Sequence, residues 1–187
     1  MAKTRERILE SAQDLFYRQG YQATVVNQII EDAGISKPTF YSHFPSKEDL
    51  CVAALQRRRE TDLALFRMAV RACSKPHDRF MAPIRALKYR MVESDYRGCG
   101  FFNMLVEITD SESPIIKEIR RFNDGIRKML RDITEDLANS GGAYATIDID
   151  HVTNAYYLLM GGAIKFGQEY QETWPLDLAE EQVARLV

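Results

Sequence analysis

Cysteine and histidine are scarce in this chain, and neither is grouped. Cys51, Cys73 and Cys99 are unevenly spaced, form no CxxC and have no neighbouring histidine, while His43, His77 and His151 lie far apart. That pattern excludes a disulfide framework and the usual zinc spacings, so reduced thiols and no bound metal or cofactor are expected. Neither GxSxG nor a glycine-rich phosphate loop occurs, which removes the common signatures of nucleophilic and nucleotide-dependent enzymes. No apolar run approaches the roughly 20 residues of a membrane span, and MAKTRERILESAQ lacks the apolar centre of a signal peptide. A cytoplasmic protein with no membrane partner is the expectation. No stretch sustains the alternation of a half-buried strand, so an all-α fold is predicted.

What is present is an ordinary globular composition, 45% hydrophobic and 28% charged, over 187 residues. This is enough for one sizeable core, or for a small domain fused to a larger one. The net charge of −2 argues against a generic nucleic-acid binder, but the charge is unevenly placed. Residues 51–90 carry 10 basic and 3 acidic side chains, whereas residues 91–187 carry 9 and 17. Between Gly34 and Lys47 no acidic residue occurs. A local positive face without global positive charge suffices for groove binding and predicts modest non-specific affinity.

That acid-free segment falls within TVVNQIIEDAGISKPTFYSHFPSKEDL, residues 24–50. Ile8, Ala12, Leu15 and Phe16 place an amphipathic helix over residues 5–19, ended by Gly20. Thr24 is predicted to cap a second helix carrying Ile29, Ile30 and Ala33, and Gly34 to end it in a left-handed conformation. Ser36 caps a third helix running to His43. Phe40 and Phe44 face its core side, and Lys37, Thr39, Tyr41 and His43 face outward. Pro45 stops this helix, and Ser46 with Asp49 opens a long one that ends before Pro76. The spacing is that of a helix-turn-helix whose third helix is short and polar enough to enter a groove.

AGISKPTFYSHFPSKEDL resembles the TetR family of bacterial transcriptional regulators, through Gly20, Thr24, Ala33, Gly34, Ser36, Tyr41, Phe44, Lys47, Glu48 and Leu50. Ile30 replaces the family's usual alanine, Ile35 its valine, and Pro38 a common glycine. The resemblance implies an N-terminal three-helix DNA-binding domain over residues 1–47, joined by the long helix to a helical ligand-binding and dimerisation domain over 48–187. It places DNA contacts on Lys37, Pro38, Thr39, Tyr41 and His43, with Thr24 and Lys47 on phosphates at neighbouring helix starts. Helix N-termini offer free N–H groups to phosphate, and Thr39 can meet a thymine methyl or a base edge. The Arg57–Arg59 run is read as a solvated face or as further phosphate contacts.

Beyond Pro76, helices are predicted near 77–93, 99–109, 114–139, 148–171 and 176–187. They are rich in adaptable and aromatic residues, and Met81, Tyr89, Phe101, Phe102, Met104, Phe122, Tyr156 and Met160 are candidates for lining an effector pocket. Each of them also suits a plain core. His77, Arg85, Asn103, Glu107, His151 and Asn154 are polar candidates for orienting a ligand, and Cys99 between two glycines is a candidate reactive thiol. In YYLLMGGAIKFG, Gly161, Gly162 and Ala163 interrupt an apolar helix, which close approach of another helix would compensate. The family's last two long helices form the dimer interface, and residues 114–139 and 148–171 occupy those places. The expected protein is therefore a homodimeric regulator and not an enzyme. It would repress from a near-palindromic double-stranded DNA operator and be released by a small, largely apolar or aromatic effector. The competing reading is an α-helical small-molecule-binding protein or enzyme that uses the helix-turn-helix only as scaffold.

Overall fold

In the computed structural model, which describes residues 2–187, the helical expectation holds and no strand occurs among the described residues. Nine α-helices follow in order: α1 (Ala2–Gln19), α2 (Val26–Asp32), α3 (Lys37–His43), α4 (Lys47–Arg71), α5 (Pro76–Glu93), α6 (Gly100–Glu107), α7 (Pro114–Asn139), α8 (Ile149–Tyr170) and α9 (Trp174–Ala184). A single 3-10 turn, Gly142–Tyr144, separates α7 from α8. No helix among the described residues is long and apolar enough to cross a membrane.

The chain divides into two compact units. The first holds residues up to Thr61 together with Gly100–Phe122, and the second holds Asp62–Cys99 with Asn123–Val187. In the first unit, Ile8, Ala12 and Phe16 of α1 are buried with Ile29 of α2, Phe40 of α3 and Leu50 of α4. Phe101 of α6 lies flat on Phe122 of α7, ring centroids 3.9 Å apart and planes 6° from parallel. The Arg57–Arg59 run of α4 is neither a solvated face nor free for phosphate. Arg57 pairs with Glu6 at 2.6 Å, Arg58 lies over the Tyr17 ring, and Arg59 reaches the fully buried carboxylate of Glu118 at 2.6 Å. One sequential run thus ties α4 to α1 and to α7, because successive side chains on a helix point about 100° apart.

In the second unit α5, α8 and α9 pack together. Tyr156 of α8 is fully buried against Phe80 and projects its hydroxyl into α5, where it donates to the Phe80 carbonyl (3.0 Å) and accepts from the Ile84 N–H (3.1 Å). Pro83 stands inside α5 at this point, removing one backbone donor and crowding the preceding turn. Helix ends differ from expectation at α9, which starts at Trp174 because Pro175 fits the first turn, and at α6, which closes at Glu107.

Candidate nucleic-acid interface

The three helices at the start of the first unit are held by capping and turn chemistry spelled out in the sequence. Ser36 accepts from the Thr39 N–H at 3.3 Å and Pro38 sits in the first turn, so α3 begins where predicted. Gly34 adopts φ +59°, and the Arg7 guanidinium of α1 donates to its carbonyl at 3.3 Å and to that of Ala33, clamping the turn. Ser46 accepts from the Asp49 N–H at 3.0 Å and donates to its carboxylate at 2.6 Å, opening α4. With Phe40 and Phe44 buried, α3 leaves Lys37, Pro38 and Tyr41 exposed, while Thr39 and His43 are half-buried. These five residues therefore share one helix of two turns, presented away from the core. The Thr39 hydroxyl lies 2.7 Å from Ser36 Oγ, which holds the cap and leaves its methyl the freer end.

Thr24 departs from its predicted role. The N-cap of α2 is Val25, without a side-chain cap, and Thr24 is fully buried. Its hydroxyl donates to the Gly20 carbonyl at 2.6 Å and accepts from Gln19 Nε2 at 3.2 Å, so it points back into the loop and not forward onto the α2 amides. Lys47 is half-buried, with its ammonium 4.2 Å from the centroid of the Tyr21 ring. Burial lowers the Lys47 pKa from its ordinary value, with the negative charge of Glu107 opposing that shift, and burial pushes the Tyr21 phenol up to about 12. Glu107, read from sequence as a possible ligand anchor, is engaged with the same loop. Its carboxylate accepts from the backbone N–H groups of Tyr21 (3.1 Å) and Gln22 (2.8 Å). Sequence periodicity gave no sign of this long-range bond, because an acidic residue at a helix end has no local partner to betray it.

The eight effector-pocket candidates fall in two groups. Phe101, Phe102, Met104 and Phe122 lie in the first unit, and Met81, Tyr89, Tyr156 and Met160 in the second. Phe102 is half-buried and Tyr89 is 67% exposed, whereas the other six are buried. An apolar recess in the first unit is lined by Phe16, Tyr17, Ala54, Leu55, Gly100 and Met104 with Gln13 and Arg58, and includes Met104 alone of the eight. Among the polar candidates, His77 stacks on Tyr144, Arg85 pairs with Glu180 at 3.0 Å, and Asn154 accepts from Arg127 at 2.9 Å. His151 is exposed near the N-terminus of α8, and Asn103 is half-buried. Cys99 and Cys73 are half-buried and Cys51 is buried, where desolvation raises its thiol pKa.

On the second unit an apolar groove runs between α8 and α9, lined by Ala155, Leu158, Leu159, Gly162, Ala163 and Phe166 on one side and by Trp174, Pro175, Leu178 and Ala179 on the other. Leu158 is 71% exposed, and Phe166, Tyr170, Trp174 and Leu178 are exposed as well. A Cβ at Gly162 would meet nothing of its own chain within 4 Å. No large apolar side chain of α7 is exposed, whereas Leu158 and Phe166 of α8 and Trp174 and Leu178 of α9 are.

Residues 8–54 match the family described as bacterial regulatory proteins, tetR family. The chain is 34% identical over 94 residues to the HTH-type transcriptional activator FasR of Mycolicibacterium smegmatis, covering 50% of this chain and 42% of that protein. It is 36% identical over 85 residues to the HTH-type transcriptional regulator LmrA of Bacillus subtilis, covering 45% of each. The match thus spans less than half the length of either curated relative. A TetR transcriptional regulator from Chloroflexus aurantiacus superposes with a TM-score of 0.85 at 24% identity, over 98% of this chain and 93% of that one, which establishes a shared fold. In sequence the match to the tetR family of bacterial regulatory proteins lies in the helix-turn-helix, residues 8–54, and the chain as a whole shares the fold of a solved TetR regulator.

Proposed function

We propose that the protein is a DNA-binding transcriptional regulator acting as a homodimer on a near-palindromic operator. The observation that carries this is α3 itself, a two-turn helix with Lys37, Pro38 and Tyr41 exposed, Phe40 and Phe44 buried beneath, and no carboxylate from Gly34 to Lys47. Two such helices one turn of DNA apart, roughly 34–36 Å, would read two half-sites. The contacts are assigned to Lys37, Pro38, Thr39, Tyr41 and His43, with Lys47 on a phosphate. The groove between α8 and α9, around Gly162 and Ala163, is assigned to the partner protomer. Residues 1–47 supply the reading head and 48–187 the effector and dimer functions, with α4 common to both. Steric occlusion needs only occupancy of the DNA, so repression is the reading adopted. Activation, the role in FasR's name, is the second.

The test is selection of genomic duplexes by the purified protein, followed by titration of the recovered operator. Lys47→Ala is expected to weaken binding to every duplex alike and to flatten the dependence of log affinity on log salt by about one unit per subunit. Thr39→Ala is expected to change which base pairs are preferred, with about 1–3 kcal/mol at stake per lost base contact. Failure of the wild-type protein to enrich any duplex over a scrambled control would return the scaffold reading. Release by a small, largely apolar or aromatic effector follows from the apolar character of Phe101, Phe102, Met104, Phe122, Met81 and Met160. An effector found by thermal shift must loosen the operator by the same factor that the operator loosens the effector. Phe102→Ala should impair that response while leaving ligand-free operator affinity intact, and a normal response in a stable variant places the pocket elsewhere.

A further inference from the structure

We propose that Glu107 is a positioning residue for DNA contact, fixing the loop at Tyr21 and Gln22 and, through the Tyr21 ring, aiming the ammonium of Lys47. The inference deepens the DNA-binding reading above and rests on it. Glu107 is the last residue of α6, where the helix dipole disfavours a negative side chain, so its carboxylate needs compensation from elsewhere. It finds two backbone donors on a segment more than eighty residues away in sequence. One oxygen accepts from the Tyr21 N–H (3.1 Å), the other from the Gln22 N–H (2.8 Å), and Gln22 Nε2 donates back to the Glu107 carbonyl (3.3 Å).

The loop is shaped for this carboxylate. Gly20 turns at φ +89°, a conformation that other residues rarely adopt, and a Cβ there would come 2.6 Å from one Glu107 oxygen. On its other side Thr24 closes the loop by donating to the Gly20 carbonyl. Tyr21, held at its amide, lays its ring between Phe16, 5.7 Å away between centroids, and the Lys47 ammonium at 4.2 Å. A lysine has a long flexible stem and no fixed geometry of its own, so a cation on a fixed aromatic face is restrained where a free one is not. Lys47 is also the first residue of α4, next to the Ser46 cap, which makes its direction depend on what lies across from that helix start.

Long-range electrostatics and positioning predict opposite signs. A carboxylate near a DNA-binding face repels phosphate, so its removal alone should tighten binding to every duplex. If Glu107 aims Lys47, Glu107→Ala should instead weaken operator binding about tenfold, the scale of one charge-assisted contact. It should also flatten the salt dependence by about one unit per subunit, as Lys47→Ala does. Adding Lys47→Ala to Glu107→Ala should then cost nothing further, the signature of residues acting on one contact. Glu107→Gln, which keeps one side-chain oxygen, should fall between wild type and alanine, and it carries the comparison if the alanine variant melts below the assay temperature. Amide exchange at Tyr21 and Gln22, about tenfold faster in the variant, reads the clamp in the absence of DNA.

Full-length wild-type protein and both variants are to be titrated with the selected operator across a salt series. Tighter or unchanged binding by Glu107→Ala with an unchanged slope overturns the proposal, as does a loss that adds fully to that of Lys47→Ala. Those results leave the DNA-binding reading standing, since the wild type binds in them. A wild type that binds no duplex overturns both.

Discussion

On the proposed homodimeric reading, Leu158→Asp is expected to leave the protein a folded monomer and to reduce operator affinity by at least about a hundredfold. The side chain is 71% exposed on the single chain, so an aspartate there removes no core packing and meets water in the monomer. In a dimer formed over the α8–α9 groove the same aspartate would be desolvated against Phe166, Trp174 and Leu178, with the groove's Arg185 already paired with Glu181. Loss of the second protomer removes the bivalency that raises affinity by 10²–10⁴ once both half-sites are engaged. Gly162→Leu supplies an independent arm. A Cβ at this position meets nothing of its own protomer within 4 Å, and overpacking against a partner costs about 1–3 kcal/mol. Sedimentation at low micromolar protein reads both variants, with circular dichroism to confirm that each remains helical. Full dimerisation of both would move the interface away from α8 and α9.

The local grammar of the helix-turn-helix was legible because each instruction acts over a few residues. Ser36, Gly34 and the Ser46–Asp49 pair each specify a helix start or stop through one bond to a near neighbour, and all three fall where expected. Thr24 misled because it was read by the same rule while its hydroxyl answers to Gly20, four residues back, and to Gln19. Side chains that act across long separations could not be read at all. The arginines at 57, 58 and 59 looked like one charged patch, yet they reach Glu6, Tyr17 and Glu118 because a helix fans consecutive residues around its axis. Gly162 lines the groove on α8, whereas α9, which forms its other wall, carries no glycine signal. Its share, Trp174 and Leu178, is exposed apolar surface that no motif in the sequence singles out.

Tyr156 was a candidate for an effector pocket, and its geometry instead predicts a large stability loss on removal of one oxygen. The Phe80 carbonyl and the Ile84 amide are the two groups that an uninterrupted helix joins as i and i+4, and the Tyr156 hydroxyl spans them, accepting from one and donating to the other. Pro83, one residue before Ile84, gives the reason such a bridge is useful, since its ring crowds the carbonyl four residues earlier and loosens that turn. Tyr156→Phe keeps the ring packed on Phe80 and deletes only the bridge. Two buried backbone groups are then left to re-pair or stay unsatisfied, at about 1–3 kcal/mol for each group that stays unpaired. The expected loss is about 2–4 kcal/mol, a fall in Tm of roughly 4–16 °C for a chain of this size. Operator affinity, measured well below the new Tm, should be unchanged, because Tyr156 lies in the second unit and contacts α5. A Tm within 2 °C of wild type, a margin of about 1 kcal/mol or less, would show that α5 closes its own ladder across the proline once the hydroxyl is gone. In that case Tyr156 is free to serve a ligand, and the same variant should then alter effector binding.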